Sequence, residues 1–341
     1  MIGMTTTGQL EEVLSRPTPA DCEAMRSLQG DLLILGVAGK MGPSLAARAR
    51  RACDQAGIRK RVIGVSRFSD GGLRAGLEQA GIETMAADLL DRNALQTLPD
   101  APNVIFMAGR KFGTQGGEHW TWAMNVLLPA LVAERFRAAR IVAFSSGNVY
   151  PLRKVTEGGA TEEITTGPIG EYAQSVLGRE RIFQYYAEQC GTASVLLRLN
   201  YAVEMRYGVL VDIGRKVYEQ RPVDVTMGHV NVIWQGDANS VALRSFGLCS
   251  VPPAVLNVTG PETLTVRWIA GRFGELFGLA PRLEGTEAAS ALLNNARRCH
   301  GLFGPPEVSV EQAIEWTAEW IRAGGASLNK PTHFEARDGR F

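Results

Sequence analysis

Apolar residues fall along the first 200 positions of this chain in short runs, separated by longer stretches with helical spacing. The runs at 32–35, 61–66, 83–86, 104–108, 140–144 and 194–199 read as strands. They show little polar alternation, as expected of strands covered on both faces. Helical spacing occupies 42–55, 120–137 and 171–189, and a further helix ends near Ala80-Gly81 after a turn-rich patch, Ser69-Asp-Gly-Gly72. Strands alternating with helices at this spacing predict an α/β fold, a doubly wound parallel sheet. Beyond Asn200 the alternation loosens, with helices expected at 209–220, 237–246, 266–277 and 310–323 and extended segments at 230–234 and 255–258. Ahead of the first strand, one short helix is expected within 17–29, started near Thr18 and stopped by Gly30. The chain therefore divides into an N-terminal extension (1–29), a nucleotide-binding domain (30–200), a smaller part (201–325) with elements returning to the core, and a tail (326–341). With Pro331, Gly339 and several charges, the tail reads as loose or as an interface arm.

The densest local signal follows the first strand. Asp31-Leu-Leu-Ile-Leu-Gly36-Val-Ala-Gly39-Lys40-Met41-Gly42-Pro43 carries three glycines at a spacing that turns a strand tightly into a helix. The first glycine makes the turn, the second admits a pyrophosphate, and the third lets helix and strand pack. Amides at the helix start face the anion, and Pro43 fits there because its missing N–H is not needed.

Composition narrows the picture. The 341 residues carry 36 Lys and Arg against 35 Asp and Glu, a net charge of +1, so there is no electrostatic footprint for nucleic acid or an anionic membrane. No apolar run reaches membrane-spanning length, and no basic region followed by an apolar core opens the chain; a cytoplasmic protein is expected. Cys22, Cys53, Cys190, Cys249 and Cys299 lack ligand spacing and read as small core residues or free thiols. His119, His229, His300 and His333 are widely separated, and no metal site is expected.

By Glu180 several motifs have accumulated in one order: Gly36-x-x-Gly39-x-x-Gly42, Asp88-Leu-Leu-Asp91, Asn125-Val126, Ser145-Ser146-Gly-Asn-Val-Tyr150, and Tyr172-Ala-Gln-Ser-Val176 with Glu180. Asp237, Asn257-Val-x-Gly260 and Pro306-Glu-Val-Ser-Val-Glu-Gln-Ala313 follow. Over roughly 30–323 the chain resembles the extended short-chain dehydrogenase/reductase family, the group that includes nucleotide-sugar epimerases and dehydratases. The resemblance implies a Rossmann-type sheet with NAD(P) at the carboxyl ends of its strands and a smaller C-terminal substrate-binding part. It carries Ser146 and Tyr172 over as catalytic positions, with Asn125 in support, and puts Gly36, Gly39, Lys40, Met41, Gly42, Asp88, Leu89, Ala108 and Gly109 around the cofactor. Its counterpart of the helix bearing Trp120, Trp122 and Phe136 packs at a dimer interface, so a homodimer is expected, with core packing as the alternative. A tyrosine can move the proton of a carbinol while a serine hydroxyl holds the oxygen.

One departure matters. The family's lysine four residues after the tyrosine is Val176 here. That lysine lowers the phenol's pKa and grips the nicotinamide ribose, and valine does neither. Arg179, on nearly the same helix face, is one substitute charge; slower or different chemistry, such as reduction with Tyr172 as acid, is a second reading; a dinucleotide-binding regulator or scaffold without turnover is a third. At the end of the second strand Ser66-Arg67 stands where an NAD enzyme carries an acid, which leans the cofactor towards NADP over NAD. The stretch before Asp237 lacks the arginine with which nucleotide-sugar enzymes of the family often hold a diphosphate, which tilts the substrate towards a free sugar, a sugar acid or another small hydroxy or keto compound. Arg206, Arg215 and Lys216 remain as anion partners or as helix-surface charges.

Overall fold

The computed structural model describes residues 4–69, 71–111 and 116–340. Asp70 of the turn-rich patch, and residues 1–3 and 341 of the terminal stretches, lie outside the described residues. Seven strands form one sheet: β1 (Leu32–Leu35), β2 (Val62–Ser66), β3 (Glu83–Ala86), β4 (Asn103–Phe106), β5 (Arg140–Ser146), β6 (Ser194–Leu199) and β7 (Ala254–Val258). Their spatial order is 7-6-5-4-1-2-3 and every pairing is parallel. The order reverses between β1 and β4, which opens a crevice at their carboxyl ends.

Period-two side-chain geometry explains why the runs are continuously apolar. In β1, Leu32 and Ile34 enter one core and Leu33 and Leu35 the other. The first core lies under α3 (Gly42–Gln55) and α10 (Gln235–Arg244); the second lies under α7 (Leu128–Arg135) and α8 (Gly170–Cys190). A third core belongs to the smaller part and joins α9 (Val209–Tyr218), α11 (Val266–Phe277) and α13 (Val310–Arg322); α4 (Gly71–Gln79), α5 (Arg92–Gln96), α6 (Glu118–Trp122) and α12 (Arg297–Phe303) are shorter connecting helices.

The N-terminal extension holds two helices, not one. Besides α2 (Pro19–Ser27), α1 spans Thr7–Ser15 behind a capping box of Thr6 and Gln9. Its Leu10 and Leu14 are fully buried against Trp234 and Trp320. The pair lies on α3 and α10, and its Asp21 is held by Arg48 at 2.7 Å and by the Ser240 hydroxyl at 2.6 Å.

The helix expected over 120–137 is interrupted. Glu118–Trp122 and α7 are joined by a π-helical turn, Ala123–Leu127, whose wider ring accommodates the buried Asn125. The tail is not loose either. Phe334 is buried in the third core, and Thr332 donates from its amide and hydroxyl to Asp212 at 2.8 and 2.6 Å. An aromatic and a threonine placed beyond the last helix outweigh the loop-forming residues around them. No helix among the described residues is long and apolar enough to cross a membrane.

Candidate active site

Two hollows adjoin at the carboxyl edge of the sheet. The first, of about 380 Å³, is lined by Gly36, Gly39, Ser66, Arg67, Asp88, Leu89, Ala108 and Gly109, so these sequence-predicted positions do meet. Gly36 adopts φ +92°, and a Cβ there would stand 2.7 Å from the Ala108 amide. At Gly42 a Cβ would stand 2.1 Å from the Val37 carbonyl oxygen, so this glycine lets α3 close on the strand. The groove fits a dinucleotide: glycines keep its floor free of side chains, and the 14-residue α3 starts beside it with no side-chain cap on its N-terminus. Arg67 and Lys330 bring positive charge to its rim. Lys330 comes from the tail, and nothing in its local sequence announces it.

The second hollow, of about 250 Å³, is lined by Ser146, Tyr172, Asn148, Lys111 and Tyr207 among others. Lys40 and Met41, grouped with the dinucleotide loop from sequence, face this chamber. The Lys40 stem carries Nζ away from the glycine turn to the Ala202 carbonyl, at 2.7 Å, and over the Tyr207 ring at 3.8 Å. Ser146 ends β5 and donates to Asn148 Oδ1 at 2.9 Å; its hydroxyl also bonds to the Tyr172 phenol. Burial pushes the phenol above its ordinary value of 10, against the opposing pull of Arg179's charge and the Ser146 bond.

Val176 and Arg179 part company on α8. Val176 is buried in an apolar cluster with Val149, Tyr150 and Ala160. Arg179 is buried too, and both of its terminal nitrogens are engaged: Nη1 donates to the Phe144 carbonyl at 2.7 Å and Nη2 to Asn125 Oδ1 at 2.8 Å, while Nε has no partner. Burial lowers its pKa to about 10, which leaves the guanidinium charged at neutral pH. A Cβ on Gly109 would meet Nη2 at 2.4 Å, so a side chain there would have to push the guanidinium tip aside. Asn125 joins the pieces: it accepts from the Arg110 amide and donates to the Arg110 carbonyl, both at 2.9 Å, and donates to Ser175 Oγ at 2.9 Å. Ser175 in turn donates to the Tyr172 carbonyl at 2.8 Å.

Beneath the chamber lies a buried network that sequence reasoning only partly reached. Glu180 accepts from Ser145 at 2.5 Å and pairs in two-pronged fashion with Arg198 at 2.9 and 2.7 Å. Arg198 also donates to the Tyr150 hydroxyl, which donates to Asn257 Oδ1. Arg206, Arg215 and Lys216 are taken up within the fold: Arg206 by Glu11 and Glu204, Arg215 by the Gly325 carbonyl, Lys216 by Glu335. Of the three aromatic residues tied to a dimer face, Phe136 is buried, whereas Trp120 and Trp122 are exposed. The five thiols form no disulfide, and no group of three or more His, Cys, Asp or Glu among the described residues is placed to hold a metal.

A parallel sheet reversing at β1 and β4, a glycine turn at the crevice and a Ser–Tyr pair beside it define a nucleotide-binding α/β enzyme class. The profile of the NAD dependent epimerase/dehydratase family matches residues 32–203, and the chain belongs to that family. Solved structures share the fold. UDP-glucose 4-epimerase from Thermotoga maritima, solved with UDP-glucose, has TM-score 0.71 at 16% identity, over 86% of this chain and 99% of that one. The Thermus thermophilus UDP-glucose 4-epimerase in complex with NAD has TM-score 0.69 at 18% identity, over 86% and 99%. UDP-glucuronic acid 4-epimerase from Bacillus cereus, with UDP-glucuronic acid and NAD, has TM-score 0.71 at 16% identity over the same shares. No curated protein sequence matches.

Proposed function

We propose that this protein is an NAD(P)-dependent oxidoreductase that reduces the carbonyl of a sugar-like or other hydroxy/keto compound, with Tyr172 as acid, Ser146 as donor to the reacting oxygen and Asn125 in support. The observation that carries this reading is Arg179, a buried cation whose charge acts on the phenol and which Asn125 holds against Gly109. A bound nicotinamide would supply the hydride to carbon. The chain's own groups handle the oxygen: Ser146 orients it, and Tyr172 passes it a proton. Burial keeps the phenol protonated, so reduction is the favoured direction. Once the proton has left, Arg179 offsets the phenolate, the task the family gives to the lysine at position 176. Arg67, aided by Lys330, favours a 2′-phosphate and hence NADP. Exposed Trp120, Trp122 and Leu127 support a homodimer through that face.

The apolar burial of Val176 favours a rival, a dinucleotide-binding regulator without turnover. Calorimetric titration with NADPH and NADH, followed by a carbonyl panel monitored by NADPH oxidation, separates them. Binding with turnover that Tyr172→Phe removes supports the enzyme. Binding without turnover on any carbonyl supports the regulator, and no binding of either dinucleotide overturns both.

A further inference from the structure

The chamber is positively charged and smaller than a nucleotide sugar needs. Among the described residues its lining contains two ammonium side chains, Lys40 and Lys111, and no carboxylate. The nearby acids are directed elsewhere. Glu204 accepts from the Arg206 amide at 2.9 Å and from its Nε at 3.2 Å, and Asp212 holds Thr332. The Ala202 carbonyl takes one Lys40 proton and the Tyr207 ring faces the same ammonium. An ammonium has three donors, so one remains for a ligand.

The chain's own C-terminal segment, 326–340, contributes Thr332 to the chamber's lining. The Leu328 amide donates to the Arg206 carbonyl at 3.1 Å, and Phe334 anchors the segment in the third core. Farther on, Arg337 clasps the carbonyl and hydroxyl of Ser290, each at 2.7 Å, and Gly339 lies so close to Ile169 that a Cβ would stand 2.2 Å from its carbonyl oxygen. With this strap seated, the chamber of about 250 Å³ is smaller than the ~300–1,000 Å³ of sites for drug-sized ligands. It suits a monosaccharide-sized molecule, not a nucleoside diphosphate sugar.

We propose that the substrate is a small anion, a hydroxy or keto compound bearing a carboxylate or a phosphate, whose charge pairs with Lys40 in a chamber walled by the C-terminal strap. This rests on the reading of Ser146 and Tyr172 as the reacting end. The test is equilibrium binding to the full chain saturated with NADPH, using glucuronate, glucose 6-phosphate, glucose and UDP-glucose as probes. At least one of the two small anions should bind tenfold or more tighter than glucose, and the tighter one identifies carboxylate or phosphate. Lys40→Met should remove that difference while NADPH affinity stays within twofold, and Lys40→Arg should restore it. A full-length Arg337→Ala chain, which loses the clasp on Ser290 but keeps Phe334 in the core, should gain affinity for UDP-glucose. Equal or absent binding of anion and neutral sugar, an anion preference that survives in Lys40→Met, or a loss of NADPH affinity in that variant overturns the assignment. UDP-glucose binding equally well to the wild type and to Arg337→Ala overturns the wall. These readouts need no turnover, so they fail independently of the Tyr172→Phe test; melting temperatures of both Lys40 variants separate misfolding from lost recognition.

Discussion

The dinucleotide groove takes most of its lining from short stretches that end neighbouring strands, around positions 36–39, 66–69, 87–89 and 107–109. The chamber beside it collects Lys40, Lys111, Ser146, Tyr172, Tyr207 and Thr332 from across the whole chain. One hollow is made of backbone, kept open by glycines, and the chemistry proposed for it is the general one of amides facing phosphate. The other is made of side chains, and its charge depends on which long side chains reach it. A parallel sheet brings its carboxyl ends together whatever the side chains are, which is why the groove can be generic while the chamber is particular.

Substitutions should separate the two. Gly42→Val ought to have the largest effect: its side chain meets the Val37 backbone, so soluble yield and dinucleotide binding should both collapse, measured by thermal melting and calorimetry. Survival of NADPH binding in that variant would break the claim that backbone approach builds the groove. Next, Tyr172→Phe should lower kcat by about 10²–10⁴ with NADPH affinity unchanged, a loss confined to the chamber. Arg179→Met touches both hollows. It strips donors from Phe144 and Asn125, each worth about 1–3 kcal/mol when buried, so melting should fall and kcat should drop roughly ten- to a hundredfold. Wild-type kcat in a folded Arg179→Met protein would remove the cation from the chemistry.

Smaller effects sharpen the contrast. Burial lowers Lys40 to about 7; Glu204 and Asp212 push it back up, Lys111 and Arg206 push it further down, and the Tyr207 ring lies against it. The amine is charged below that value and loses its proton above it. The KM of an anionic substrate should therefore be flat in acid and rise up to about tenfold per pH unit above 7. The Tyr172 phenol, raised by burial, should leave kcat for reduction unchanged over the same window. Smallest of all, Arg67→Gln should weaken NADPH by about tenfold or less and leave NADH and the chamber's KM alone, because the arginine is exposed at the groove's rim.

Much of this was legible along the chain, for reasons particular to each element. The β1 run and its glycines combine a period, a turn and a packing constraint within a dozen residues, so strand, turn and α3 lie where the pattern put them. Helix α1 was readable in principle, from Thr6-x-x-Gln9 and the spacing of Leu10, Val13 and Leu14, yet it lies outside the repeating strand–helix rhythm. The π-helical turn at Asn125 was not readable, since one extra residue per turn leaves helical propensity unchanged. Its cause lies in the neighbours it bonds: Arg110, Ser175 and Arg179.

What the sequence determined by itself is the repeating α/β order, the glycine turn and the Ser–Tyr pair at family spacing, because these rest on local periodicity and on backbone that only certain residues permit. Tertiary structure alone decided that Val176 joins an apolar cluster while Arg179 reaches the Asn125 side chain, that Lys40 leaves its own loop for the Ala202 carbonyl, and that the tail contributes Thr332 to the chamber's lining. Each of those outcomes joins groups tens to more than a hundred residues apart, and no local pattern encodes a partner that only folding brings within hydrogen-bond distance.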